Sequence, residues 1–228
     1  MFHLKHDVKI HIKNEKEVFR FVRLLIFTFI FSAAFLGVPD YIWNLTWYRI
    51  SLCLIPWMVA IPAVINCVSR KINLKELFGT HIVFQILTGA GIGTVIAILW
   101  IGVSHVLQDG NIAQMYPGNI WMILFQLFLY VFAVGPAEEF IYRVAIMGSL
   151  EELLQRYKWI APIIANTLFA LAHLFQNDWY NVALAFAIGG IYTALYYKWK
   201  RCGYIMVSVI HGMFDFMILF LPYLWNRQ

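Results

Sequence analysis

Seven apolar runs, five near the length that crosses a bilayer and two longer, dominate this chain and restrict what it can fold into. They extend from about Phe19 to Val38, Tyr48 to Val68, Phe78 to Leu107, Asn119 to Gly148, Trp159 to Phe175, Trp179 to Tyr197 and Gly203 to Trp225. A spanning helix needs about 20 predominantly apolar residues. Inside lipid every backbone N–H and C=O must be satisfied within the protein, which leaves helices as the spanning structure for runs of this length. With 62% hydrophobic and only 13% charged residues in 228, the chain has too little polar surface for a soluble domain. The gaps between runs hold no separate soluble domain. The expected class is therefore all-α, a polytopic membrane bundle of about seven transmembrane helices forming one domain over residues 1–228.

The first run comes after a mixed-charge segment, residues 1–18, expected to be cytoplasmic or interfacial. It has the basic flank, apolar core and small-residue patch "SAA" of a signal peptide. The chain beyond it continues as further spans, not as a secreted domain, so it reads as a retained first helix. In the second run Pro56 and Pro62 predict a kink.

Orientation comes from the basic residues of the loops. Lys5, Lys9, Lys13, Lys16, Arg20 and Arg23 precede or open the first run. Arg70, Lys71 and Lys75 come after the second, Arg156 and Lys158 after the fourth, and Lys198, Lys200 and Arg201 after the sixth. The alternate loops offer Asp40, Arg49, Asp109 and Asp178. All the basic clusters fall on one side, which places the N-terminus in the cytoplasm and the C-terminus outside. The net charge of +5 is thus a topology signal and calls for no nucleic-acid partner.

Small residues at four-residue spacing mark close helix packing: Gly89 and Gly93 in the third run, Gly190 and Ala194 in the sixth. The cysteines Cys53, Cys67 and Cys202 have no paired or metal-type spacing and read as free thiols that pack as small apolar residues.

Few ionisable residues remain at membrane depth: Glu138, Glu139 and Arg143 in "VGPAEEFIYRVAIMG", His173 in the fifth run, His211 and Asp215 in the seventh. A charged residue at a helix centre costs about 2.5–3.5 kcal/mol on insertion scales, so these should face a protein interior or a wet cavity and meet one another. Glu139 and Arg143 are i and i+4 and can pair on one face. Glu138 lies about 100° round the helix from Glu139 and is left for another partner. His211 and Asp215 are again i and i+4, so Asp215 can orient the ring or fix its tautomer. His173 comes from a third helix, one turn beyond Phe169.

A carboxylate without a salt-bridge partner, with two imidazoles from other helices, suits activation of water for attack on a peptide carbonyl. The carboxylate takes the proton; a histidine stabilises the oxyanion or protonates the leaving amine. The same trio, Glu138, His173 and His211, could instead hold zinc with an open position for water. The compact HExxH signature is absent. Each residue also has a plainer reading. Glu139–Arg143 serves structure, and His173 alone suits an interhelical hydrogen bond. His105 suits the interface, and His3, His6, His11 and His81 the surface or interface. Glu151, Glu152, Arg156 and Lys158 suit a solvated turn. Depth adds a constraint. Counted from the basic side, His211 lies about 12 Å and His173 about 21 Å in, so a shared site requires the fourth helix to run past Pro136 to Gly148.

The order of "EEFIYR" (Glu138 to Arg143), "FALAH" (Phe169 to His173) and "HGMFD" (His211 to Asp215) resembles the CAAX-protease and bacteriocin-processing family of membrane proteins, also called Abi proteins. The Ras-converting enzyme is its eukaryotic relative. The run "FAIGGIYTALYYK", Phe186 to Lys198, also looks like that family's sixth-helix segment, and the resemblance covers roughly Trp121 to Leu221. It implies an intramembrane endopeptidase, its catalytic helices within residues 119–221. Glu138 would activate water, His173 and His211 would complete the site, and Glu139, Arg143 and Phe169 would orient it. It favours a metal-free mechanism, zinc being the alternative. Asp215 stands where the best-studied relatives have Asn. An ionised Asp cannot donate to an oxyanion, so the resemblance implies a change of role, with Asp215 holding His211 protonated.

The expected partners are a peptide or membrane-protein substrate, reaching the site from the cytoplasm or laterally, and membrane lipid; the expected setting is a bacterial plasma membrane. Two other classes compete. One is a non-proteolytic scaffold or regulator that retains the motifs. The other is a proton- or ion-coupled transporter, against which stand the lack of an internal repeat and of paired broken helices.

Overall fold

The computed structural model describes residues 15–36, 46–106, 119–176 and 179–225, and among them every regular element is helical. The first three rods of the bundle are α1 (Glu15–Leu36), α2 (Thr46–Val59) with α3 (Ile61–Ser69), and, after the short α4 (Leu74–Phe78), α5 (Ile82–Val106). Next comes a composite rod: α6 (Ile120–Phe128), a π-helical turn (Leu129–Val134), α7 (Gly135–Glu139), a second π-helical stretch (Phe140–Ile146) and α8 (Met147–Leu154). A 3-10 turn (Gln155–Ile160) then leads into α9 (Ala161–Ala172), which tightens to 3-10 over His173–Gln176; α10 (Trp179–Lys198) and α11 (Tyr204–Trp225) complete the order.

These make seven rods among the described residues, at the positions the apolar runs predict. Four stretches are long and apolar enough to cross a membrane: Leu52–Ser69, Ile82–His105, Ile120–Ala172 and Tyr204–Trp225. The third contains two rods, because Gln155, at φ +42°, turns the chain between α8 and the 3-10 segment. Large apolar side chains such as Phe19, Val83, Leu87, Leu99 and Trp121 lie exposed on the outside of the bundle. Lipid is the solvent that tolerates such a surface. The segment 1–14, with His3, His6 and His11, and the loops carrying Asp40, Asp109 and Asp178 lie outside the described residues; His81 and His105 are exposed, as expected.

The second run breaks where its prolines predict. Ala60 separates α2 from α3, its N–H still reaching Pro56 O at 3.0 Å, and Pro62 sits in the first turn of α3, where a missing N–H costs nothing. In the fourth run Pro136 does not stop the helix. The π-helical turn ahead of it widens the backbone, and the rod continues to Leu154. A π-bulge is a usual accommodation of such a misfit and recurs at functional sites.

Small residues set the central contact. A Cβ on Gly89 would lie 2.8 Å from Met206 O, and one on Gly93 would collide with Ile210 O, so α5 packs backbone to backbone against α11. On the other flank of α11, Gly212 fits against Tyr130 O and Val131 Cα, and Gly135 fits against Ser208 O. The expected Gly190–Ala194 face is a correction. Ala194 is exposed, and the tight position is Gly189, whose Cβ would lie 2.6 Å from the Phe169 ring. A spacing rule sees small residues but not which face the neighbouring helix takes.

Polar clamps join the first half of the bundle to the composite rod. Arg70 binds both Glu152 oxygens at 2.6 and 3.0 Å and donates to Ser149 Oγ at 3.2 Å, which donates to Asn66 Oδ1 at 3.2 Å. Tyr204 donates to Pro136 O at 2.8 Å, tying the start of α11 to α7. The three cysteines are free thiols; the pKa of Cys202, between α10 and α11, is pushed up to about 12 by burial and then by the charge of Glu139.

Candidate active site

The π-helical stretches bracket α7, a five-residue α-helical segment that ends on the two acids. They allow Glu138 and Glu139, side by side in sequence, to reach opposite nitrogens of one imidazole. His211 sits on α11 just where that helix changes from continuously buried (Met206 to Gly212) to half-exposed. Its Nδ1 donates to Glu139 Oε1 at 2.8 Å. Its Nε2 faces Asp215 Oδ2 at 3.3 Å and Glu138 Oε2 at 3.8 Å.

Glu139 is entirely buried and has two side-chain partners. Besides His211 it forms an ion pair with Arg143, Nε to Oε2 at 3.1 Å. Arg143, 1% exposed, donates through Nη2 to Gly189 O at 3.0 Å and lies 4.4 Å above the Phe169 ring. That carbonyl belongs to α10, which Asn166 ties to α9 by donating to Phe186 O at 2.9 Å. The chain Gly189–Arg143–Glu139–His211 therefore links three helices at full burial through two hydrogen bonds and, between them, one ion pair. Buried ions survive only when they find such partners.

His173 caps α9. Its Nδ1 lies 3.0 Å from Phe169 O. A carbonyl oxygen only accepts, so the Nδ1 hydrogen points at it and Nε2 is left for other chemistry. Phe169 is the shared wall: its ring meets His173 edge-on at 5.0 Å, His211 at 5.7 Å and Tyr142 at 5.2 Å. On the opposite flank of His211 lies Tyr192, ring centroids 5.1 Å apart.

All four expected catalytic side chains, Glu138, His173, His211 and Asp215, line one cavity of about 390 Å³, with Phe169 and Tyr192 in its wall. Glu139 and Arg143 lie outside it. Glu138 is 32% exposed into this space and Asp215 23%, whereas Glu139 has no exposure. The two adjacent acids thus differ in environment: one is committed to structure, the other open to a small molecule such as water. Among the described residues, no three of His, Cys, Asp and Glu are spaced to hold a metal ion.

The expected pairing of Glu139 with Arg143 is present. Asp215 lies beside His211 on its Nε2 side, and the Nδ1 side, which helical spacing leaves unassigned, is taken by Glu139. The residues that spacing did not single out are Tyr192 and the Gly189 carbonyl. Tyr192 comes three residues after Gly189 in "GGIY", so both face inward on one side of α10. That spacing was the available signal.

No curated protein and no solved structure matches the chain. The family described as type II CAAX prenyl endopeptidase, Rce1-like, does, over residues 119–217. The match begins at the cap of α6 and closes two residues beyond Asp215, so every cavity-lining acid and histidine falls inside it. This is an integral membrane protein, and the stretch that builds its cavity is similar to the Rce1-like protease family, in agreement with the order of its three motifs.

Proposed function

We propose that the chain is an intramembrane endopeptidase in which Glu138 activates the attacking water. The observation that carries this reading is the contrast between the two adjacent acids. Glu139 is buried and committed to Arg143 and His211, while Glu138 is one-third exposed in a cavity, 3.8 Å from the same imidazole. A base needs access to its proton, and of the pair only Glu138 has it.

In this mechanism water attacks the scissile carbonyl carbon as its proton passes to Glu138. The carbonyl π electrons move onto oxygen, and the resulting oxyanion accepts a hydrogen bond from an imidazole N–H. Collapse of the tetrahedral intermediate breaks the C–N bond, and the proton held by Glu138 goes to the departing amine. His211 suits the oxyanion role, because carboxylates flank both ring nitrogens and satisfy a ring that carries hydrogen on each. His173, its Nδ1–H given to Phe169 O, presents Nε2 to the leaving group. Asp215 keeps the His211 Nε2–H directed into the cavity. No step requires a metal, and we assign none. The setting we propose is one membrane domain in a bacterial plasma membrane, N-terminus inside, acting on a peptide or membrane-protein substrate.

Comparison of the peptides in cells expressing wild type and Glu138→Gln at equal levels tests this. Products that vanish in the variant support the assignment and give the cleavage site. An unchanged peptide profile, with the cellular role intact, would replace it with a non-proteolytic scaffold.

A further inference from the structure

The direction in which the cavity extends bears on where its substrate comes from. Four rods wall it, and each contributes residues from the same end. On α11 the lining runs from His211 to Leu219, and the first seven residues, Tyr204 to Ile210, take no part. On α10 it runs from Asn181 to Tyr192 and leaves out the last six residues, Thr193 to Lys198. The composite rod contributes Tyr130, Val134 and Glu138 but nothing after Glu138, and α9 contributes only Phe169 and, just past its end, His173. In every rod the excluded portion adjoins one of the turns that carry Arg156 and Lys158, or Lys198, Lys200 and Arg201.

Helical rise converts this to depth. His211 and Tyr192 stand about 10 Å from the basic ends of their helices, whereas Leu219 and Asn181 stand about 22–26 Å away. Burial changes in the same direction. Below the catalytic level the path is filled by Arg143, Ile146, Met206, Val207 and Ile210, none more than 1% exposed. Above it Asn181, Leu184, Ile218 and Leu219 are all partly exposed. The cavity is sealed toward the basic turns and extends toward the opposite membrane face.

Basic loops mark the cytoplasmic side. We infer that the site receives its substrate from the extracytoplasmic half of the membrane: a peptide segment that has been exported or is presented at the outer surface. The wall above the catalytic level is apolar on α10 and α11 (Leu184, Ile188, Ile218 and Leu219) with Asn181 at its far end. It suits a segment with apolar side chains flanking the scissile bond. The inference rests on the hydrolytic reading of the same cavity, and it differs from the cytoplasmic or lateral approach expected from sequence.

Cysteine accessibility tests the direction without using catalysis. Asn181→Cys and, separately, Leu219→Cys would be treated in intact cells with a membrane-impermeant maleimide, beside Lys200→Cys and wild type, whose cysteines include the buried Cys67 and Cys202. The expected result is labelling of Asn181→Cys and Leu219→Cys in intact cells and of Lys200→Cys only after permeabilisation. A bulky maleimide on Asn181→Cys, added from outside, should also lower the Glu138-dependent products at least tenfold. Labelling of the two cavity positions only after permeabilisation would overturn the inference. So would failure to label either from any side while Lys200→Cys reacts. Neither result would touch the assignment of Glu138, which fails separately if Glu138→Gln leaves every product in place.

Discussion

Removing Arg143 should cost far more than its single ion pair suggests, and the cost should depend on Glu139. In Arg143→Met the hydrocarbon stem is kept, but Glu139, with no exposure, loses the cation 3.1 Å away. The bond to Gly189 O and the stacking on Phe169 go as well. Breaking a buried pair from one side destabilises by about 3–5 kcal/mol, because the remaining charge has no compensation. Glu139→Gln should cost a similar amount by stranding the guanidinium, although its amide oxygen can still accept from His211 Nδ1. The double variant strands neither charge. Its loss should fall short of the sum by about 2–4 kcal/mol, of the order seen for coupled buried ions. The assay is equilibrium unfolding of the four proteins in one mixed-micelle system, read as a double-mutant cycle. Additive losses, with coupling below about 0.5 kcal/mol, would refute the claim that these charges hold one another at full burial.

Three other outcomes rest on the packing and the site. Gly93→Ala should destabilise by about 1–3 kcal/mol, since the new methyl collides with Ile210 O, whereas Gly91→Ala, with nothing near its Cβ position, should be neutral in the same unfolding assay. Asp215→Asn should keep most of the cleavage rate, because the amide oxygen can still accept from His211 Nε2; Asp215→Ala should lose at least tenfold, and kcat measured on the peptide found in cells distinguishes them. Chelators should leave that rate unchanged, and a loss restored by zinc would return Glu138, His173 and His211 to the role of ligands.

The apolar runs made the rods legible because lipid permits one solution to the backbone: internal hydrogen bonding over about 20 residues. Pro56 and Pro62 also spoke plainly, through the break at Ala60. The effect of Pro136 was harder to read. The same residue type that broke the second run is absorbed in the fourth by a π-helical turn, which depends on the close fit of Tyr130 and Val131 against Gly212, a contact between distant segments. The pairing of Glu139 with Arg143 was local and therefore visible. The 2.8 Å bond from His211 to Glu139 crosses between rods, and helical spacing assigns the imidazole to Asp215, its neighbour one turn on. Gly189 was hidden for a related reason: its function is to offer a carbonyl and a lack of volume, neither of which leaves a chemical signature in sequence.

The central claim is that Glu138, and not its neighbour, is the base. The most direct measurement is the single-turnover cleavage rate of purified protein in lipid vesicles, using the peptide found in cells, for wild type, Glu138→Gln and Glu138→Asp. We expect Glu138→Gln to lose at least a thousandfold, about 4 kcal/mol of barrier, with its unfolding midpoint unchanged, and Glu138→Asp to retain part of the rate. A Glu138→Gln protein that cleaves within tenfold of wild type would contradict the account.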